Sequence, residues 1–155
     1  MNEQRSIQDQ QTGATRLAAA FRRHGVEVAF GQSIPSLFYL AAPAAGIRQV
    51  AYRAENAGGA MADAYARISH KVGVVSAQNG PAATLLVAPL AEALKASIAI
   101  VALVQDVPRD LTDRNAFQEL DHLRLFDACA KWVRRVDRAE RLDDYVDMAF
   151  VAAAS

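Results

Sequence analysis

The sequence predicts an α/β fold in which a doubly wound, mostly parallel sheet carries helices on both faces. Two observations support this prediction. Short runs of strand length recur along the chain, and most are continuously apolar rather than apolar at alternate positions, as in strands buried on both faces. A segment with helical periodicity follows each run, which is the pattern of parallel strands joined by crossover helices.

The first unit begins after a polar N-terminal segment. Residues 15–25, "TRLAAAFRRHG", predict an amphipathic helix that ends at Gly25, because glycine commonly closes a helix at its C-terminus. Residues 26–31, "VEVAFG", predict a short buried strand. Residues 32–42 then predict a turn in which Pro35 leads into a second helix, since proline favours the start of a helix.

The same strand and helix pattern repeats through the middle of the chain. Further strands are predicted at residues 47–52, 72–77 and 98–104, and helices at residues 55–69 and 81–96. Together the units predict a flavodoxin-like, three-layer α/β/α domain. We assign the domain to residues 13–155 and a polar N-terminal arm to residues 1–12.

The last part of the chain departs from this rhythm. Residues 105–120, "QDVPRDLTDRNAFQEL", form a long polar loop, and loops of that length in a compact domain are commonly functional. Residues 131–136, "KWVRRV", predict another strand. Residues 138–155 predict a closing helix with one apolar face formed by Leu142, Tyr145, Val146 and Ala149.

Composition narrows the classes of partner. The 17 basic residues balance 17 acidic ones, so the chain has no net positive charge that would attract nucleic acid or an anionic membrane. The only cysteine, Cys129, rules out a disulfide or thiolate cluster and favours a reducing compartment. His24, His70 and His122 lack metal-ligand spacing, so we expect surface or capping roles. Without a signal core or a bilayer-length apolar run, the prediction is a cytoplasmic protein with small-molecule or protein partners.

Ligands of open parallel sheets bind beyond the carboxyl ends of the strands, so the turns there are the candidate sites. These turns are "GQSIPS" (31–36), "RAENAGG" (53–59), "QNGPAA" (78–83) and the loop 105–119. None contains the glycine-rich phosphate cradle of a dinucleotide enzyme or P-loop protein. The turn with Ser33 and Ser36 is not a nucleophile elbow.

Glu55 is the one carboxylate at the head of an Ala/Gly-rich helix. The helix dipole favours a negative charge there, and such a carboxylate is suited to exchanging a proton with a nitrogen heterocycle. Gly58 and Gly59 each cost a helix about 1 kcal/mol relative to alanine, which suits the close approach of a ligand. The alternative is that Glu55 is an ordinary first-turn acid and that the glycines allow the helix to pack on the sheet.

Three segments in order resemble one family. They are "YRAENAGGAMADAYAR" (52–67), "QNGPAATLLVAPLAEAL" (78–94) and "VALVQDVPRDLTDRNAFQELD" (101–121). Together they are similar to the N-terminal, pyrimidine-binding domain of thiamine diphosphate enzymes, above all the acetolactate synthase group. The likeness runs from about residue 14 to the end of the chain.

The resemblance implies roles for particular residues. Glu55 corresponds to the glutamate that bonds the pyrimidine N1′, promotes the 4′-imino tautomer and so allows removal of the thiazolium C2 proton. It also implies a pyrimidine pocket lined by Gln78, Asn79, Gly80 and Pro81, and a substrate side formed by Gln32, Phe117 and Gln118. The implied activity is decarboxylation and carboligation of 2-oxo acids, as in acetolactate synthases.

Some positions depart from the family pattern. Ala54 replaces a frequent histidine, Ala82 the second glycine of a Gly-Pro-Gly turn, and Leu85 a common asparagine. The turn "FGQSIPS" (30–36) is closer to 2-hydroxyacyl-CoA and oxalyl-CoA lyases of the same family, so that substrate class stays open. A non-catalytic dimerising module of the same fold is a further alternative, and a nucleotide binder is disfavoured by the missing phosphate cradle.

The resemblance also implies parts outside this sequence. In the family, Mg²⁺ and the diphosphate are held by another domain, contributed by a second subunit of a homodimer, and no metal ligand is assigned here. FAD can bind elsewhere in some members. We therefore expect the chain to correspond to the first third of a longer enzyme, and to be inactive alone.

Overall fold

The computed structural model describes residues 12–155, so the arm predicted for residues 1–12 lies outside the described residues except for Thr12. The strands are β1 (Val28–Phe30), β2 (Arg48–Val50), β3 (Gly73–Ala77) and β4 (Ile100–Val104). The α-helices are α1 (Gly13–Arg23), α2 (Ser36–Ala41), α3 (Glu55–Ser69), α4 (Pro81–Thr84), α5 (Val87–Lys95), α6 (His122–Phe126) and α7 (Leu142–Ala154). Short 3₁₀ turns span Ala42–Ala45, Arg109–Leu111 and Ala139–Arg141.

The four strands form one sheet in the order β2-β1-β3-β4, and every pair is parallel. β3 pairs with β4 along its whole length, from Gly73–Ile100 to Ala77–Val104. β1 meets β3 at one residue pair, Phe30 with Val75. The chain moves outwards from β1 in one direction and from β3 in the other, so the predicted doubly wound sheet is confirmed, with its switch point between these two strands.

Two apolar cores flank the sheet, one on each face. The first joins helices α1, α2 and α7 to Ala29, Val74 and Val101 of the strands. The second joins helices α3, α5 and α6 to Phe30, Val75 and other strand residues. Neighbouring strand residues point to opposite faces, so β3, which is buried at every position, has helices on both sides, while the edge strand β2 exposes Arg48 and Gln49. The three-layer prediction is confirmed.

The first helix forms where the sequence predicts it. The Thr12 side chain accepts a hydrogen bond from the Thr15 amide at 3.2 Å and caps the helix. Beyond the C-cap, Gly25 has a φ of 78°, a backbone conformation that glycine adopts without strain. The glycine therefore ends α1, as expected.

The helix predicted at residues 81–96 is in fact two helices, α4 and α5. The amides of Leu85 and Leu86 bond to carbonyls three residues back, at 3.2 and 3.1 Å, and close α4. α5 starts again at Val87, which places Pro89 in its first turn. Proline has no amide hydrogen to donate inside a helix, so a first-turn position is the one it tolerates.

The strand predicted at residues 131–136 is wrong, because this segment is neither strand nor helix. A cavity of about 1250 Å³ is lined by β4, by this segment and by α7. The Arg135 side chain bonds Asp106 and Thr112 in the loop after β4, at 3.0 and 2.8 Å. These polar contacts hold the segment to that loop rather than to the free edge of β4.

None of the helices in residues 12–155 has the length and apolar character needed to span a bilayer.

Candidate functional site

The candidate site lies at the carboxyl ends of the strands, where open parallel sheets bind their ligands, and we call this region the crevice. It is formed by the turns after β1, β2 and β3 and by the loop that follows β4. The switch point between β1 and β3 leaves room there, since the connections from these strands lead away in opposite directions. The sheet topology therefore brings together turns that are distant in the sequence.

Glu55 is the first residue of α3, as predicted. Ala54 before it is extended and provides no side-chain cap, and Glu55 is the only acid in the first turn of α3. The Glu55 side chain is half-buried. Within residues 12–155, no hydrogen bond or ion pair engages its carboxylate, so both oxygens are available to a ligand.

Tyr52, three residues before Glu55, belongs to a buried polar network under the crevice. Its hydroxyl donates to the Ser76 carbonyl oxygen. The Tyr39 and Ser76 hydroxyls lie 2.6 Å apart and are buried as well. Burial raises the pKa of Tyr52, and the nearby Glu55 carboxylate raises it further, so Tyr52 stays neutral beside that charge.

Gln32 ties the turn after β1 to the segment that leads into α3. Its Nε2 atom donates to the carbonyl oxygens of Arg53 at 3.0 Å and Tyr52 at 3.3 Å. Gln49 holds the other side of this turn, because its Nε2 donates to the Gly31 carbonyl oxygen at 2.8 Å. The structure therefore places Gln32 next to the segment that carries Glu55, with its amide donors engaged by the backbone.

The turn after β3 packs against the long loop. Gln78 is half-buried at the end of β3, and Asn79 is only 5% exposed. The Asn79 Nδ2 atom donates to the carbonyl oxygens of Phe117 and Gln118, at 3.1 Å each. Pro81 begins α4 directly after the turn, as predicted.

Gly80 makes the contact between these two segments possible. It has a φ of 65°, and a β-carbon there would lie 2.5 Å from the Gln118 carbonyl oxygen. A larger residue would therefore suffer both backbone strain and a clash with main-chain atoms. The turn predicted within residues 78–83 is confirmed, and it packs against the long loop.

Phe117 and Gln118 differ in their surroundings although they are neighbours. The Phe117 side chain is 80% exposed and offers an apolar wall at the rim of the crevice. Gln118 has a φ of 58°, and its Oε1 atom is buried with no hydrogen-bond partner in the described part of the chain. Because an unpaired buried acceptor costs about 1 to 3 kcal/mol, such an atom suits a ligand that donates a hydrogen bond.

The three histidines differ. His24 caps α1, and its ring bonds the exposed Asp147 at 2.7 Å, while His70 is the C-cap of α3, so capping roles are confirmed for both. His122 instead enters the site, where its Nε2 accepts a hydrogen bond from the Gly80 amide at 3.0 Å. No local pattern in the sequence predicts this contact, because the two residues are far apart in the chain.

The two helical glycines are explained by packing. A β-carbon at Gly58 would lie 2.2 Å from the Tyr52 ring, and one at Gly59 would lie 2.3 Å from Pro89 in α5. The close approach expected from the sequence therefore comes from the protein itself, which supports the packing interpretation of the glycines. Across residues 12–155, no group of three His, Cys, Asp or Glu side chains is arranged to hold a metal ion.

Comparison with known proteins shows the family of the chain. The family model described as "Thiamine pyrophosphate enzyme, N-terminal TPP binding domain" matches residues 11–125. The acetolactate synthase large subunit of Parasynechococcus marenigrum is 38% identical over 93% of this chain and 24% of that protein. The chloroplastic acetolactate synthase of Arabidopsis thaliana is 35% identical over 92% of the chain and 22% of that protein.

A third relative gives the same result. The acetolactate synthase isozyme 2 large subunit of Escherichia coli is 36% identical over 92% of this chain and 26% of that protein. The chain thus spans about a quarter of the length of these relatives. The family match covers most of the chain and includes every turn of the crevice, so the chain belongs to the thiamine pyrophosphate enzyme family, as its N-terminal TPP binding domain.

Proposed function

We propose that the chain is the pyrimidine-binding part of a thiamine diphosphate enzyme that decarboxylates 2-oxo acids and joins the product to an acceptor, as acetolactate synthases do. One observation carries this proposal. The Glu55 carboxylate stands at the head of α3, half-buried and with no hydrogen-bond partner in residues 12–155. A carboxylate of this kind is positioned to share a proton with a ring nitrogen.

The other residues of the crevice fit a pyrimidine. Within the described residues, the Gln118 Oε1 atom is a buried acceptor without a partner, suited to an amino group. The turn from Gln78 to Pro81 offers a small, closely packed wall, because Gly80 leaves no room for a larger residue against the loop. Neutral Tyr52 adds no second negative charge beside Glu55.

Each of these residues has a task in the proposed activity. Bound thiamine diphosphate supplies the electron sink that decarboxylation needs. Glu55 holds a proton at the pyrimidine ring nitrogen, and Gln118 orients the ring through its amino group. Phe117 stands exposed at the rim, where it excludes water from the substrate once a partner domain covers it.

The remaining parts of the active site come from outside residues 12–155 in this proposal. We assign the diphosphate and its Mg²⁺ to another domain, contributed by a second copy in a homodimer, with residues 13–155 as the pyrimidine domain. FAD binding by another part of the assembly is compatible with this arrangement. A single, buried Cys129 supports a cytoplasmic location.

Replacing Glu55 tests the proposal. In the complete assembly that contains this chain, E55Q removes the acid while keeping the shape of the side chain, and we expect turnover to fall by about 100-fold or more. E92Q is the matched control, since Glu92 is an exposed acid on α5. An E55Q enzyme that folds by circular dichroism and turns over at the unmodified rate would leave a non-catalytic module as the better interpretation.

Two further measurements define the chemistry. We expect the 155-residue chain to release no CO₂ from pyruvate when thiamine diphosphate and Mg²⁺ are added, and measurable release would contradict the need for another domain.

The turn at residues 31–36 favours acyl-CoA lyases as the competing substrate class. Pyruvate and oxalyl-CoA should therefore be compared in the complete assembly, and preference for oxalyl-CoA would exclude the acetolactate-type reaction.

A further inference from the structure

We propose that His122 is a positioning residue of the cofactor crevice, which holds the Asn79–Gly80 turn in place through its unprotonated Nε2 atom. The expected effect on cofactor binding rests on the proposed function, whereas the hydrogen bond itself is independent of it. The Gly80 amide lies 3.0 Å from His122 Nε2 and donates to it. An atom that accepts a hydrogen bond carries no proton of its own, so the ring of neutral His122 has its hydrogen on Nδ1.

The bond joins the turn after β3 to the start of α6. His122 begins α6, and Phe126 of the same helix is buried in the second core, so the ring projects from an anchored element. Gly80, at the other end of the bond, has a positive φ of 65°. Together with the two bonds from Asn79, the contact clamps the turn after β3 against residues 117–122.

The clamp sets the position of groups that face the ligand. Gln118 lies in the clamped segment, and its Oε1 atom, which has no partner among residues 12–155, keeps its place only while the segment stays against the turn. Its carbonyl oxygen is the atom that a Gly80 β-carbon would meet at 2.5 Å. Loss of the clamp therefore changes the shape of the pyrimidine pocket without removing any residue that contacts the ligand.

Charged groups from three places face the His122 ring. Asp106, after β4, has its Oδ1 atom 3.8 Å from Nδ1, and Arg135 bonds the other Asp106 oxygen at 3.0 Å. Asp121 caps α6 from the same turn. Burial lowers the pKa of His122, Asp106 and Asp121 oppose the shift, and Arg135 adds to it, so the net pKa lies below the ordinary value.

Protonation breaks the clamp. A charged ring carries a hydrogen on Nε2, so this atom can no longer accept a hydrogen bond from the Gly80 amide. Two N–H groups would then face each other. Because the folded-state pKa is below the ordinary value of 6.5, the neutral ring stabilises the fold at pH above 6.5. That contribution is lost as the pH falls from 6.5 through the folded-state pKa.

The first test uses NMR of the ¹⁵N-labelled 155-residue chain. At neutral pH we expect His122 to show the Nδ1–H tautomer, and on acidification the Gly80 amide shift should move together with the His122 ring signals. H122Q retains an acceptor that does not titrate, and H122L retains none. Exchange of the Gly80 amide should therefore stay slow in H122Q and quicken by about fivefold to tenfold in H122L.

H24Q is the matched control for this experiment, since His24 contacts Asp147 and Phe150 on the opposite face of the sheet. It should leave the Gly80 signal unchanged. A Gly80 shift that does not follow His122, or equal exchange in H122L and the unmodified chain, would overturn the clamp. If H122L does not fold, the titration of the unmodified chain and of H122Q still decides the question.

The second test uses the complete assembly and equilibrium titration with thiamine diphosphate. We expect H122L to weaken binding by about fivefold to tenfold, with kcat at saturating cofactor within about twofold of the unmodified value, and H122Q to restore binding. Unaltered binding in a variant whose Gly80 amide is released would overturn the positioning role. Failure of the proposed function can be told apart from failure of the clamp. In the first case E55Q leaves turnover unchanged, and the NMR experiment still reports whether the Gly80–His122 bond exists.

Discussion

The ring of Tyr52 lies directly against the backbone of Gly58, so closely that a β-carbon on Gly58 would sit 2.2 Å from the ring. The hydroxyl of the same tyrosine donates to the Ser76 carbonyl oxygen in β3. Tyr52 thus joins α3 to the centre of the sheet. Since Glu55 is the first residue of α3, this contact also sets where the carboxylate stands.

Replacing Gly58 by alanine tests this contact. Alanine favours a helix interior by about 1 kcal/mol over glycine, so helix propensity alone predicts stabilisation. The clash with Tyr52 reverses the sign, and we expect G58A to lower the free energy of unfolding by about 1 to 3 kcal/mol, measured by urea denaturation. A60G, an exposed change on α3, should cost only the propensity difference. A stabilised G58A would contradict the packing described here.

The buried hydroxyl pair under the crevice makes a second prediction. Tyr39 and Ser76 are buried and their hydroxyls lie 2.6 Å apart, so Y39F removes one hydrogen bond without removing the ring. We expect a loss of about 1 kcal/mol in the free energy of unfolding. Y145F is the control, since the Tyr145 hydroxyl has no hydrogen-bond partner in the described residues. The same loss in both variants would mean that the pair contributes nothing specific.

Asn79 holds the long loop to the turn after β3, so its removal should loosen the loop. N79A deletes the donor of both bonds to Phe117 and Gln118. We expect trypsin to cleave at the exposed Arg109 and Arg114 several times faster in N79A than in the unmodified chain. N56A, an exposed change at the start of α3, should not alter the rate at these sites. Unchanged cleavage in N79A would show that other contacts hold the loop.

The ion pairs of Asp143 predict how the stability of the fold changes at acidic pH. The side chains of Arg16 and Arg23 bond its carboxylate and hold its pKa below the ordinary value of 3.8. The folded-state pKa is lowered, so the stabilisation is present above pH 3.8 and is lost as the pH falls through the folded-state pKa. At neutral pH, D143N should be less stable by up to about 1 kcal/mol, because the pair is close to the surface.

Thermal unfolding at several pH values checks the Asp143 prediction. The difference between D143N and the unmodified chain should shrink as the solution is made more acidic than pH 3.8. D110N is the control, since the Asp110 carboxylate forms no ion pair in residues 12–155. A difference that stays constant across this range would show that D143N acts through packing rather than charge.

Local signals in the sequence predicted those parts of the fold that depend on neighbouring residues. Gly25 ends α1 and Pro81 begins α4 because each acts within one turn of backbone. The ordered turns also located the crevice, since the topology of a parallel sheet places them together. The positions of Glu55, Asn79 and Gly80 followed from this topology.

Contacts between residues distant in the sequence explain where the predicted secondary structure and site differ from the structure. Residues 131–136 have the composition of a strand, yet Arg135 is drawn to Asp106 and Thr112, a preference no local pattern records. The single helix predicted at 81–96 breaks because Pro89 must occupy a first turn. His122 escaped notice for the same reason as Arg135, because its partner Gly80 lies in another turn.

The single residue pair that joins β1 to β3 has a consequence for ligand size. The crevice lies at the carboxyl ends of these strands, and we infer that packing of side chains in the two cores, more than main-chain bonds, sets the angle between β1 and β3. A change of volume at Ala29 or Val75 would rotate one strand pair against the other. We therefore expect the width of the crevice, and the bulk of the molecule that it accepts, to be adjustable from residues that never touch the ligand.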